Sequence, residues 1–120
     1  MGKARIFVVE DEHTLVSFWK MIVEGRAEII WADNLVDAEK IFVKDQDFDF
    51  MVMDCCVPGR VPNSFTLVEK IRESGYTKPI IAKSASDKYA EELLEFGASH
   101  MAVNGQVHEL ILELLDEITN

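Results

Sequence analysis

Basic residues are scarce in this sequence relative to acidic ones. Lys and Arg together number 12 against 22 Asp and Glu, which gives a formal charge of −10 at pH 7. Because nucleic-acid binding needs clustered positive charge against phosphate, this balance argues against direct nucleic-acid binding, and it argues equally against docking on anionic lipid. No apolar run approaches the roughly 18 residues of a membrane-spanning helix. The N-terminus also lacks the long apolar core of a signal peptide, so we predict a cytoplasmic protein.

Cysteine is also scarce, and the two that are present, Cys55 and Cys56, are adjacent. Adjacent cysteines close no useful disulfide loop and metal sites use spaced pairs, so we expect free thiols in a reducing compartment. Gly-rich phosphate loops of the dinucleotide or P-loop kind are missing. The remaining composition, 48% hydrophobic and 28% charged over 120 residues, predicts one ordinary globular domain spanning residues 1–120.

Short apolar runs alternate with longer segments of helical periodicity along the whole chain. The predicted strands are residues 6–9, 28–31, 50–53, 79–82 and 100–103. Runs this short and nearly continuous are typical of strands covered on both faces. Five strand–helix units in this length predict an α/β fold, a flavodoxin-like doubly wound sheet of five parallel strands in the order 2-1-3-4-5 with five helices.

Acidic residues follow the first and third predicted strands, as Glu10-Asp11 and Asp54. These strands are neighbours about 4.8 Å apart in the proposed order, and ligands of such sheets bind at the carboxyl ends of the strands. Each like-charged pair at ~5 Å costs about 3 kcal/mol at an effective dielectric of ~20, so we predict a hard cation here, with Mg²⁺ the natural choice. The alternative is structural: Glu10 and Asp11 cap the first helix, and Asp54 is a turn residue.

The sequence resembles the receiver domains of two-component response regulators, the phosphoacceptor family that includes the chemotaxis receiver. The similarity is carried by residues 8–12 (VVEDE), 53–59 (MDCCVPG), 79–85 (PIIAKSA) and 97–100 (GASH), in this order and spacing. It implies that a sensor histidine kinase or phosphotransfer protein passes a phosphoryl group to Asp54. It also implies that Asp11, Asp54 and the backbone carbonyl of Cys56 hold Mg²⁺, with Glu10 acting mainly through water, and that Ser84 is the switch hydroxyl.

The same resemblance limits what activity and partners to expect. It implies no metabolic enzyme, and at most self-phosphotransfer and autodephosphorylation. It implies a downstream effector protein as a partner. It also makes homodimerisation through the face of the fourth helix, fifth strand and fifth helix one option.

Two positions depart from the family pattern, and a third bears on the consequences. Asn104-Gly105 stands where the family has Lys-Pro after the fifth strand, and Met101 stands at its aromatic switch position. Asn104 carries no charge, so the site is one positive charge short. A second function therefore stays open, that of a degenerate receiver acting as a phosphorylation-independent interaction module. Lys83 precedes Ser84 and is a conceivable substitute cation, but strand alternation points it to the opposite side from Ser84. We therefore favour the structural alternative, in which Lys83 extends to the surface between helices.

Overall fold

Strands and helices alternate throughout the computed structural model, which describes residues 2–57, 62–103 and 106–119. The strands are β1 (Ala4–Val9), β2 (Ala27–Ala32), β3 (Phe50–Asp54), β4 (Ile80–Ser84) and β5 (His100–Val103). The helices are α1 (His13–Ile22), α2 (Leu35–Lys44), α3 (Phe65–Glu73), α4 (Asp87–Phe96) and α5 (Val107–Thr119). Among these described residues, no helix has both the length and the apolar character needed to cross a bilayer.

All five strands are parallel and lie in the order β2-β1-β3-β4-β5, which confirms the predicted flavodoxin-like sheet. Strand β4 runs to Ser84, two residues beyond the apolar run, which ends at Ala82. The extra residues are polar, and both are buried. Because these side chains are polar, a prediction based on apolar character ended the strand too early. The two extra residues extend β4 to the edge of the sheet where β1 and β3 end.

Each face of the sheet packs against its own set of helices. The face covered by α1 and α5 includes Val8, Val52 and Ile81. The face covered by α2, α3 and α4 includes Val9 and Met53, one position further along the same strands. This alternation along nearly continuous apolar strands is what a sheet covered on both sides requires. Fully burying each such side chain contributes about 1.5–3 kcal/mol.

The glycines that follow α1, α3 and α4 all have positive φ: Gly25, Gly75 and Gly97. Gly97 is the most constrained of them. Its φ is +130°, and a Cβ atom placed there would lie 2.6 Å from Cγ of Arg72. Arg72 in turn donates a hydrogen bond from Nε to the Gly97 carbonyl at 2.8 Å. Glycine is therefore required at this position by backbone conformation and by close packing together.

The residues at the N-cap positions of α2, α3 and α4 differ in the hydrogen bonds that they form. The Asn34 side chain accepts a hydrogen bond from the backbone N–H of Asp37 at 2.8 Å, as an N-cap should. Ser64 and Ser86 occupy N-cap positions without a side-chain cap bond. Ser64 instead donates from its hydroxyl to the carbonyl of Cys55 at 3.2 Å, which ties the start of α3 to the segment that follows β3.

Candidate functional site

The acidic residues that follow β1 and end β3 converge at one edge of the sheet. Glu10, Asp11 and Asp54 each present a carboxylate oxygen, and these oxygens all lie within 4.8 Å of one another. Glu10 is fully buried, Asp54 is 5% exposed and Asp11 is half-buried. The convergence follows from topology, because β1 and β3 are hydrogen-bonded neighbours whose carboxyl ends meet at the same edge.

A lysine lies inside this acidic cluster. The Nζ atom of Lys83 is 2.9 Å from Oε1 of Glu10 and 3.9 Å from Oδ2 of Asp54, and its side chain is only 10% exposed. The prediction that Lys83 points away from the site toward the surface is therefore wrong. Alternation does separate it from Ser84, but the pairing of β3 with β4 places Lys83 directly beside Asp54.

The strand register explains why these three charges share one side of the sheet. Each lies two positions beyond a residue packed on the face covered by α1 and α5. The pairs are Val8 and Glu10, Val52 and Asp54, and Ile81 and Lys83. The sequence contains this period, but the register that aligns β4 with β3 is a tertiary property.

Glu10 is held from several directions. Its Oε2 accepts a hydrogen bond from the backbone N–H of Glu12 at 3.0 Å, and its backbone carbonyl accepts one from Nε1 of Trp31 at 2.8 Å. Its Oε1 is buried and has no hydrogen-bond donor among the described residues. The Lys83 ammonium lies 2.9 Å from this oxygen and is its ion-pair partner, and a carboxylate oxygen has a further lone pair for another donor or a cation.

Burial is the main influence on the pKa of Asp54. Desolvation, and secondly the charge of Glu10, raise the pKa of Asp54 to about 8, although Lys83 and the backbone N–H of Cys56 oppose the shift. That N–H donates to Asp54 Oδ1 at 3.2 Å, so Oδ1 is fixed while Oδ2 is the oxygen nearer Lys83. Burial lowers the pKa of Lys83, but the carboxylates of Glu10 and Asp54 outweigh it, and its net pKa is raised.

The cluster opens into a cavity of about 500 Å³. Asp11, Asp54 and Lys83 line the cavity, and so do Ser84 and Tyr89 from the segment that runs from β4 into α4. The Ser84 hydroxyl oxygen accepts a hydrogen bond from the backbone N–H of Ser86 at 3.0 Å, a bond that does not use its own hydrogen. An acceptor placed in the cavity therefore has a hydroxyl donor available.

The composition of the cluster fits a divalent cation. When all groups are ionised, the three carboxylates carry −3 and the Lys83 ammonium +1, which leaves −2. Carboxylate and carbonyl oxygens are the ligands that Mg²⁺ takes from proteins. The Cys56 residue also lines the cavity, consistent with a carbonyl ligand from this part of the chain.

The thiols beside Asp54 are free, as predicted. Cys55 is fully buried, and burial raises the pKa of its thiol to about 12. Burial also raises the pKa of Cys56. Because the thiolate is the reactive form, both side chains act here as small apolar groups.

Several sequence motifs lie partly outside the described residues. These are Asn104 and Gly105 after β5, and Pro58 and Gly59 in the segment 53–59. Met101, at the position of the family's aromatic switch, is 38% exposed on β5. Tyr89 in the cavity wall was not predicted. Its place at the start of α4, just after the Ser84 segment, was the available signal.

Comparisons with known proteins agree with this architecture. The family model of the response regulator receiver domain matches residues 6–106. The non-phosphorylated HemR receiver domain from Leptospira biflexa is 25% identical, with a TM-score of 0.77 over 97% of this chain and 94% of that one. A two-component response regulator from Clostridium difficile has a TM-score of 0.81 at 18% identity, over 98% and 96% of the two chains.

A response regulator from Burkholderia pseudomallei, solved with a phosphorylated aspartic acid and a calcium ion, is 18% identical. Its TM-score is 0.78, over 98% of this chain and 71% of that one. No significant match was found among curated proteins.

Proposed function

Because the chain belongs to the response regulator receiver domain family, we propose that it is a phosphoreceiver of a two-component signalling system, with Asp54 as the phosphoacceptor. The donor is a sensor histidine kinase or a phosphotransfer protein, and the receiver spans residues 1–120 as one domain. The supporting observation is that the Asp54 carboxylate lines a cavity of about 500 Å³ together with Asp11, Lys83 and Ser84. Free thiols at Cys55 and Cys56 are compatible with a reducing compartment such as the cytoplasm, where we propose that the transfer takes place.

In the proposed transfer, a carboxylate oxygen of Asp54 attacks the phosphorus of the donor's phosphohistidine. The new P–O bond forms as the P–N bond breaks, and the imidazole keeps the electron pair of that bond. In the later hydrolysis, water attacks phosphorus, the Asp54 carboxylate leaves and inorganic phosphate is released. The attacking group must be ionised, and Lys83 favours the ionised form because its charge opposes the raised pKa of Asp54.

Asp11, Asp54 and the backbone carbonyl of Cys56 are the residues we propose to hold Mg²⁺. Glu10 would act mainly through water. Among the described residues, the lining of the cavity includes Asp11 and Asp54 but not Glu10, and Oε2 of Glu10 already accepts a bond from the Glu12 N–H. When bound, Mg²⁺ supplies positive charge that keeps Asp54 ionised and neutralises the phosphoryl group.

Ser84 is the proposed switch residue. Its hydroxyl hydrogen can bond a phosphoryl oxygen, while its oxygen already accepts from the Ser86 N–H at the N-cap of α4. Phosphorylation would thereby couple Asp54 to the start of α4. We propose the face of α4, β5 and α5 as the surface for an effector or a second copy. It carries the partly exposed side chains of Leu94 and Met101.

The alternative is an interaction module that works without phosphorylation. It is favoured by the uncharged Asn104 and by Met101. The buried ammonium of Lys83 weakens that reasoning, because the cavity does contain a positive charge.

The two functions separate in a titration with beryllofluoride, a phosphoryl mimic, in millimolar Mg²⁺. A phosphoreceiver is expected to show a saturable change in tryptophan fluorescence, and Asp54→Asn is expected to abolish it. Absence of a response in the wild-type protein would favour the interaction module.

A further inference from the structure

We infer that Lys83 is the phosphoryl-binding cation of this receiver, so that β4 supplies the positive charge missing after β5. The inference rests on the proposed function, since it requires a phosphoryl group on Asp54. Lys83 lies on β4, whereas Asn104, the residue at the family's lysine position, follows β5.

The first argument is charge. A phosphoryl group on Asp54 adds negative charge to a cavity whose walls already include Asp11 and Glu12. Of the described residues that line this cavity, Lys83 is the only one with a positively charged side chain. Its ammonium is largely withdrawn from water, so its attraction to a nearby anion is screened far less than that of a surface lysine.

The second argument is position. Lys83 Nζ is 3.9 Å from Oδ2 of Asp54, beyond hydrogen-bond distance, while Oδ1 is already engaged by the Cys56 N–H. A phosphoryl group on Oδ2 extends its own oxygens into the cavity that Lys83 also lines. The flexible four-carbon side chain of lysine can follow an anion over such a distance.

The third argument is that Lys83 leaves Asp11, one of the proposed metal ligands, accessible to the metal. Its ion pairs are with Glu10 and Asp54, and among the described residues none is formed with Asp11. The lysine therefore lies on the Glu10 side of Asp54, where it can pair with a phosphoryl oxygen while Asp11 binds the metal.

A purely structural role is the competing explanation, in which Lys83 only balances the charges of Glu10 and Asp54. The two roles predict different results when the charge is removed. If Lys83 is only a structural counter-ion, its removal changes the affinity for Mg²⁺ and leaves the affinity for the phosphoryl mimic unchanged. If Lys83 binds the phosphoryl group, its removal strengthens the binding of Mg²⁺ and weakens the binding of the phosphoryl mimic.

The test compares Lys83→Met with the wild-type protein and with Lys88→Met, a matched loss of charge at an exposed position of α4. Tryptophan fluorescence is titrated first with Mg²⁺ alone and then with beryllofluoride at saturating Mg²⁺. For Lys83→Met we expect Mg²⁺ to bind roughly 3- to 10-fold more tightly, because a competing positive charge is gone. We expect the mimic to bind at least about 10-fold more weakly, because a charge-assisted contact is lost. Lys88→Met should change neither constant by more than about twofold.

The outcomes separate the inference from the function on which it rests. A wild-type protein without any response to the mimic would refute the proposed function and the inference with it. Wild-type binding of the mimic together with unchanged affinity in Lys83→Met would overturn the inference alone.

If Lys83→Met fails to fold, the double variant Glu10→Gln/Lys83→Met removes both members of the ion pair and leaves no unpaired buried charge there. Compared with Glu10→Gln, about 10-fold weaker mimic binding supports the inference, and equal binding overturns it.

Discussion

The indole Nε1 of Trp31 donates a hydrogen bond of 2.8 Å to the backbone carbonyl of Glu10. Trp31 is the penultimate residue of β2, and Glu10 immediately follows β1. The bond therefore links a fluorescent side chain to the backbone of the acidic cluster. The other tryptophan, Trp19, lies on α1 and is 2% exposed, in the core between the sheet and helices α1 and α5.

This arrangement predicts that Trp31 is the fluorescent reporter of the site. Trp31→Phe is expected to remove most of the fluorescence response to Mg²⁺ and beryllofluoride, and to lower the free energy of unfolding by about 1 kcal/mol through the lost hydrogen bond. Fluorescence titration and urea unfolding measure the two effects. A full response that persists in Trp31→Phe would assign the signal to Trp19 instead.

The raised pKa of Asp54 predicts a pH dependence of stability in the absence of metal. The unfolded chain has an ordinary Asp pKa near 3.9, whereas the folded chain has one of about 8, so the folded state binds more protons between these values. Stability from this group is therefore fully present below about pH 4 and is lost as pH rises through about 8.

This effect is measurable in EDTA as the difference in unfolding free energy between Asp54→Asn and the wild type. The contributions of the other titratable groups cancel in that difference. The advantage of Asp54→Asn is expected to grow by roughly 3–4 kcal/mol from pH 5 to pH 8, because the folded wild-type protein holds nearly one extra proton over most of this range. A constant difference across this range would show that Asp54 titrates normally.

Metal binding should stabilise the folded protein by relieving repulsion within the acidic cluster. At about 100 times its Kd, Mg²⁺ adds about 2.7 kcal/mol, which for a domain of this size raises the melting temperature by about 10 °C. Asp11→Asn, which removes one proposed ligand, should reduce the rise. Equal melting temperatures in EDTA and in millimolar Mg²⁺ would contradict the proposed metal site.

The close packing at Gly97 predicts an unequal cost for two similar substitutions. Gly97→Ala introduces a Cβ against Arg72 at a φ of +130°, whereas Gly25→Ala meets open space at a φ of +82°. We expect Gly25→Ala to lower the unfolding free energy by about 1 kcal/mol and Gly97→Ala by about 2–3 kcal/mol. Urea unfolding of both variants measures the costs, and equal values would refute the packing argument.

The fold was predictable because its signals are local. Short apolar runs alternate with helical segments, and glycines such as Gly25 and Gly97 follow the helices, so the order of the five parallel strands followed from general rules of α/β topology. The convergence of Glu10 and Asp54 followed from the same rules.

The position of Lys83 could not be predicted in the same way. Alternation says which residues of one strand share a side, but it does not say which side of β4 faces Asp54 on β3. That depends on the pairing of Asp54 with Lys83, which is a property of the folded sheet. The contact between Trp31 and Glu10 joins residues 21 positions apart and has no local signature either.

The most direct test of phosphoacceptance is chemical identification of the modified residue. The protein is incubated with Mg²⁺ and a small-molecule phosphodonor, reduced with borohydride, digested and analysed by mass spectrometry. Reduction converts an aspartyl phosphate to homoserine and leaves a free aspartate unchanged. We predict homoserine at position 54, and none in a sample without donor. A peptide containing only unmodified Asp54 after prolonged incubation, or a phosphoryl group on another residue, would contradict the account.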